Sequence, residues 1–273
     1  MKKLLSVLLS LCMIFVLTAC SKSADNNETP TDTPEEKDLL GRIQEAGKIV
    51  IATEGDWAPW TYHDEAGELV GFDIEVGKAL AEILGVEADF VETDWDSILA
   101  GVDSGRFDIA CNGVGYTEQR AEKYAFTDPY VYTHKVLIVR ADNEDIKSFE
   151  DLKGKKNANT ASSTYAAIAE SYGAENVPVN TFAETITLLD QKRVDSTINS
   201  EVSYNDYIEA HPEAAIKVVA MTEGDQVVIP VRKTDDAATL VSALNDALQH
   251  LRDNGKLAEL SVKYFKADNT KPE

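Results

Sequence analysis

Arg120 is the side chain best shaped to grip a small anion: its planar guanidinium can hold both oxygens of a carboxylate in a fork that a lysine cannot reproduce. Taken by itself, Arg120 in Thr117-Glu118-Gln119-Arg120 reads first as an arginine on an exposed helix face. Ser162-Ser163-Thr164 stands directly ahead of a helical pattern that begins near Tyr165. A helix start presents backbone N–H groups and the positive end of the dipole, which suits an anion. Serine and threonine are also ordinary N-caps there, and both roles can hold at once. Trp57, Trp60 and Trp95 are large rings, which taken by themselves belong to a core more often than to a surface, although an exposed tryptophan near a glycine and a proline would be unusual for simple surface. Glu54 closes a strand-like run and by itself reads as a solvated strand-end carboxylate.

Nothing else suggests chemistry. The four histidines, His63, His134, His211 and His250, are scattered and form no cluster with cysteine, so no metal site is expected. Cys111 has no basic neighbour to activate it and reads as a packing thiol. No acid and base stand at motif spacing, and no cofactor is implied.

The elements that must position these residues alternate between β-rich runs and helical patterns, the mark of βαβ units in an α/β fold. Ile49 to Ala52 predicts a buried strand, Asp73 to Leu84 a helix, and Ala88 to Val91 a strand. Ile98, Leu99 and Val102 mark a helix closing at Gly105, followed by a strand over Asp108 to Asn112. A second series follows Tyr130, with strands over Lys135 to Arg140, Lys156 to Thr160, Val177 to Phe182 and Asp195 to Asn199. Helices over Ser163 to Tyr172, Glu184 to Lys192 and Val202 to His211 separate them. Strands over Ile216 to Met221 and Val227 to Val231 precede a helical tail through Phe265. Two such series predict two lobes, with the tail able to pack on either by periodicity.

Residues 1–20 stand outside the fold. Lys2 and Lys3 precede an apolar run that is short for a membrane span, the order of a secretory signal. Its ending, Leu17-Thr18-Ala19-Cys20, resembles the bacterial lipobox, which implies a lipidated Cys20 anchored by at least two acyl chains. Residues 21–38 are polar and acidic with no apolar period, and predict a disordered tether spanning roughly 25 Å. The net charge of −22 argues against nucleic acid and against a basic lipid-binding patch. With Cys12 in the leader and Cys20 lipidated, Cys111 remains and no disulfide framework is expected.

Four segments then agree in order and spacing: Trp57-Ala58-Pro59-Trp60, Gly71-Phe72-Asp73-Ile74-Glu75-Val76, Thr117 to Arg120 with Phe126-Thr127-Asp128-Pro129-Tyr130, and Asp151-Leu152-Lys153-Gly154-Lys155-Lys156. Together they resemble the family 3 extracellular solute-binding proteins, which serve ABC importers of polar amino acids. The resemblance covers nearly the whole chain after the leader. It implies a two-lobe, type II periplasmic-binding-protein-like fold that closes on its ligand by hinge motion. It places lobe 1 in residues 39–132 plus 230–273 and lobe 2 in 133–229. The crossing strands fall near Val131 to Lys135 and Gly224 to Ile229, with the tail on lobe 1. The partners it implies are a small amino acid, a membrane permease and, through Cys20, the outer face of the cell membrane. The protein is expected to act as a monomer.

On this resemblance Arg120 holds the ligand's α-carboxylate, with Ser163 and Thr164 against the same group from the other lobe. Trp57 and Trp95 flank the ligand's side chain, with Trp60 nearby, and Glu54 contacts its polar end. Two departures stand out. Relatives carry an aspartate for the α-ammonium where this chain has Ser200, so either Glu201 is the substitute or it is a plain helix-start glutamate and the ammonium contact is different. Relatives also place serine or threonine where this chain has Gly115, while Asn112-Gly113-Val114 is similar to the cystine-type subgroup. Asn112, Gly113 and Gly115 are therefore expected at the ligand, with satisfying the backbone at the strand end as the other role open to Asn112. The same fold hosts an exported cyclohexadienyl dehydratase, the competing enzyme reading, in which Glu201, Glu54 or His134 could serve as acid. A sensory domain is the third reading, disfavoured by the short polar stretch after Phe265.

Overall fold

The computed structural model describes residues 37–272. The expected secretory leader, Cys20 and the expected tether as far as residue 36 lie outside the described residues. Lys37 and Asp38, assigned to the tether by composition, are described, and Asp38 caps the first helix by accepting the Gly41 N–H at 2.8 Å.

The chain runs α1 (Leu39–Ala46), β1 (Lys48–Thr53), β2 (Asp56–Trp57), β3 (Thr61–His63), β4 (Leu69–Val70), α2 (Phe72–Leu84), β5 (Glu87–Glu92), α3 (Trp95–Asp103) and β6 (Ile109–Ala110). It continues through α4 (Glu118–Ala121), β7 (Tyr124–Phe126), β8 (Val131–Thr133), β9 (Lys135–Arg140), β10 (Lys156–Asn159), α5 (Thr164–Ser171), β11 (Glu175–Pro178) and α6 (Phe182–Asp190). The last elements are β12 (Ser196–Ser200), α7 (Glu201–Ala210), β13 (Ile216–Met221), β14 (Asp225–Val227), β15 (Pro230–Arg232), α8 (Ala238–Asp253) and α9 (Lys256–Phe265).

Among the described residues these strands build two five-stranded sheets, ordered β5-β1-β6-β15-β7 and β11-β10-β12-β9-β13. In each, a parallel core (β1 with β5 and β6, β10 with β11 and β12) is extended by antiparallel strands. Between the sheets the chain crosses twice, outward along β8 and back along β14, and these two strands pair antiparallel. The result is an α/β fold of two lobes joined by two crossing strands.

Both sheets are covered on both faces, which is why their strands read as continuous apolar runs. Ile49 and Ile51 pack with Phe72, Leu80, Leu244, Leu248 and Phe265, whereas Ala52, on the opposite face, packs with Ile98, Val102 and Phe107. The helical tail thus covers the first sheet, sharing a core with α2. In the second sheet Val136 and Ile138 pack on Ile186 and Leu189, and Leu137 and Val139 on Leu152 and Ala169. No helix among the described residues is long and apolar enough to cross a membrane.

Two expected strands are cut short for local reasons. The run Val177 to Phe182 ends its strand at Pro178, because Thr181 and Glu184 form a capping box that opens α6. The run Val227 to Val231 splits into β14 and β15, because the chain changes partner there from β8 to β7.

Asp73, in the Gly71-Phe72-Asp73 segment, is fully buried and ties this frame together. Its carboxyl accepts the Tyr130 hydroxyl at 2.7 Å, just ahead of β8, and the Gly113 N–H at 2.5 Å. Burial raises its pKa to about 7, against the pull of these two hydrogen bonds. The unfolded chain therefore releases this proton at lower pH than the folded one, so stability falls as pH rises from about 4 to about 7 and levels off above. Asp73→Asn is expected to flatten that slope. Urea unfolding at intervals from pH 4 to pH 7 measures it, and parallel curves for the two proteins would contradict it.

Candidate functional site

A cavity open to solvent at one side lies between the lobes. The first lobe contributes Glu54, Asp56, Trp57, Trp95, Gly113, Gly115 and Arg120; across from them stand Asn159, Ser163, Thr164, Tyr165 and Asn199. Most of these groups sit at carboxyl ends of strands or starts of helices, where open α/β sheets bind ligands. Glu54 follows β1, Gly113 follows β6, and Asn159 and Asn199 stand at the ends of β10 and β12.

Arg120 is set by the short helix α4, whose cap Thr117 accepts the Arg120 N–H at 3.1 Å. Its guanidinium donates to the Gly115 carbonyl at 2.9 Å and lies 5.2 Å from the Trp95 ring centroid. Burial lowers its pKa from the ordinary arginine value, with Tyr165, Asp225 and Tyr124 pulling the other way. Across the cleft Ser163 caps α5, accepting the Ala166 N–H at 3.1 Å while donating to the Thr160 carbonyl at 2.7 Å. The capping role assigned to Ser163 is therefore real. The N–H groups of Thr164 and Tyr165 head the same helix and have no partner within it.

Glu54 is braced by Asn112: the amide donates to the Glu54 carboxylate at 2.6 Å and accepts the Glu54 backbone N–H at 2.8 Å. Burial raises the Glu54 pKa to about 7, only partly offset by that amide, with Asp56, Asp94 and Asp96 adding to the rise. Beyond Glu54 and Asp56 the cleft opens onto Glu92, Asp94 and Asp96. The cavity that holds Arg120 thus runs out into a strongly anionic mouth.

Trp57 stacks on Trp60 with centroids 5.6 Å apart, and Gly113 leaves room for it: a side chain there would begin 2.7 Å from the Trp57 ring. Contacts run from lobe to lobe. The Trp57 indole N–H donates to Asn199 at 3.2 Å, that of Trp60 to Ser200 at 3.3 Å, and the Ser162 hydroxyl to Asp96. The cleft is closed.

Three expected site residues do not line the cavity. Trp60 is only 1 % exposed and packs on Phe72 and Phe265, so it backs Trp57 from the core. Asn112 acts behind Glu54. Glu201 is the first residue of α7, one position past its cap Ser200, and its carboxylate meets His134 at 3.1 Å away from the cavity. Asn199 of the same strand end is the residue that enters the cavity, and Ser200 is occupied with Ser203 and Trp60. Sequence reasoning missed Tyr165, Asn159, Asn199 and Asp225. The strand ends at Asn159 and Asn199 were the available signal for two of them. Cys111 is buried, which pushes its thiol pKa well up. No group of His, Cys, Asp and Glu among the described residues could hold a metal ion.

Fold and cleft define a two-lobe receptor that encloses a small solute. Residues 49–267 match the bacterial extracellular solute-binding proteins, family 3, and the chain belongs to that family. The family's setting is extracytoplasmic. The L-cystine-binding protein TcyA of Bacillus subtilis is 36 % identical over 273 residues, covering 99 % of this chain and 100 % of the relative. A solved mutant of ArgBP from T. maritima superimposes with a TM-score of 0.77 at 28 % identity, covering 83 % of this chain and 99 % of that one. The L-cystine solute receptor of Neisseria gonorrhoeae, in its unliganded open conformation, gives 0.58 at 37 % identity, over 86 % and 99 %.

Proposed function

We propose that this receptor captures an α-amino acid, L-cystine first among them, and delivers it to the permease of an ABC importer. The observation that carries the reading is Arg120, the cationic side chain among the described residues lining the cavity. A desolvated guanidinium facing the start of α5 is suited to a carboxylate held from both lobes. One ligand group bridging the lobes gives closure its driving force. L-Cystine carries two amino-acid heads. With one carboxylate on Arg120, the ammonium of the far head reaches toward Glu54, Asp56 and the acids beyond them. The names of the cystine-binding relatives support the same choice. Trp57 and Trp95 then flank the disulfide-bearing middle, Thr164 meets the carboxylate at the helix start that Ser163 caps, and Gly113 and Gly115 leave space. Cys20 carries the lipid that holds the receptor at the membrane after the leader is removed.

L-Cystine at a hundred times its dissociation constant should stabilise the protein by about 2.7 kcal/mol, a rise of several degrees in Tm. A panel of the common amino acids run beside it by thermal shift measures the preference. No shift with any of them would sink the reading. One observation favours an enzyme instead: Glu54, poised near neutral pH inside a closed cavity, could transfer a proton. Turnover of arogenate or prephenate would decide for that alternative.

A further inference from the structure

We propose that Asp225, on the returning crossing strand β14, receives the ammonium of the amino-acid head whose carboxylate Arg120 holds. The inference rests on the reading of the cleft as an amino-acid site. In an α-amino acid the ammonium and the carboxylate share one carbon, so the acid that meets the ammonium must stand beside the carboxylate clamp. Ser200 is neutral and occupied, and Glu201 faces His134. The carboxylates lining the cavity, among the described residues, are Glu54, Asp56 and Asp225. Glu54 and Asp56 belong to the anionic mouth, Glu54 drawn back by Asn112.

Asp225 is adjacent to the clamp through Gly115. The Gly115 carbonyl accepts from Arg120 at 2.9 Å, and a side chain at Gly115 would begin 3.1 and 3.5 Å from the two oxygens of Asp225. A serine or threonine at this position would stand against that carboxylate, and the bare Cα of Gly115 leaves it open to the cavity. The two departures from the family pattern, at Ser200 and Gly115, are thus accounted for by one residue. Backbone pairing holds Asp225 on two sides. It pairs with Thr133 of β8, and Gly115 bridges to Val227 two residues further on. Lys135 binds Oδ2 at 2.5 Å with both side chains largely buried, which aims the carboxylate. A carboxylate can accept from a lysine and a ligand ammonium together. Placed on a crossing strand, this contact also couples ligand charge to the segment about which the lobes close.

The test is titration calorimetry of wild type and Asp225→Asn with L-cystine and with dithiodipropionate, which keeps both carboxylates and the disulfide but lacks both ammonium groups. Both ligands are taken to millimolar concentration, and ligand-free Tm is recorded. L-Cystine affinity should fall by about 30-fold or more in the variant, with no parallel loss for dithiodipropionate. Cystine affinity within threefold of wild type, or equal losses for both ligands, would overturn the assignment. If dithiodipropionate binds neither protein, a cystine loss at unchanged Tm upholds it, and one that tracks a lowered Tm overturns it. Should wild type ignore L-cystine, the choice of ligand fails separately. The comparison then uses the amino acid giving the largest thermal shift, with its counterpart lacking the amino group. A protein that binds no amino acid overturns both readings.

Discussion

Arg120→Ala should reduce amino-acid affinity by about 30-fold to several thousand-fold while leaving the ligand-free protein as stable as before. The size follows from the environment of the guanidinium. It is drawn out of water between Trp95, Tyr165 and the Gly115 carbonyl, and burial already lowers its pKa. Removing one partner of a desolvated, hydrogen-bonded charge pair costs about 2–5 kcal/mol, much of it from the charge left behind. Here that charge is the ligand's carboxylate, which would enter a closed cavity with only helix N–H groups to meet it. Arg120→Lys is expected to recover little, since an ammonium supplies charge without the planar fork. The empty protein should not suffer, because removing a half-buried cation relieves a desolvation cost. Calorimetric titration together with ligand-free melting separates the two effects. Retained affinity would mean the carboxylate lies elsewhere.

Trp60→Ala should act in the opposite way, destabilising the ligand-free protein by about 3–5 kcal/mol, the usual cost of deleting a fully buried large ring. Trp60 lies against Phe265 at 4.8 Å and Phe72 at 5.9 Å, so its loss opens a cavity where α9 meets α2. It also supports Trp57 from behind and reaches Ser200 across the cleft, so closure should weaken as well. Trp57→Ala, by contrast, removes a half-buried ring facing the cavity and should lower affinity with a smaller change in stability. Urea unfolding of the two variants makes the comparison. A Trp60→Ala protein as stable as Trp57→Ala would show that the stack is not a core element.

A good part of the fold was legible because its determinants are local. Lys135–Arg140 and Ile216–Met221 carry apolar runs that match their strands, and α2 follows the stripe that stops at Gly85. The Ser163 cap was legible because a cap is a local pattern, whereas Arg120 and Trp57 were singled out through the resemblance of the short segments that hold them, and the structure places both on the cavity wall. The capping box at Thr181 and Glu184 was equally local and shows where an apolar run outweighed a better signal.

What the sequence by itself determined, then, was the class of chain: two α/β series, a helical tail and, through its resemblance to a family, the expectation of a cleft holding an arginine and tryptophans. The tertiary structure decided which side chains meet. Neighbours at a strand end diverge, so Asn199 enters the cavity, Ser200 turns into a cap and Glu201 goes to His134. Asp225 stands beside Gly115 only because β14 returns between the lobes, more than a hundred residues later in the chain. Periodicity reports which face of an element is apolar. It carries no record of what a crossing strand brings to the other side of a cleft, because that depends on closing loops far longer than any local pattern spans.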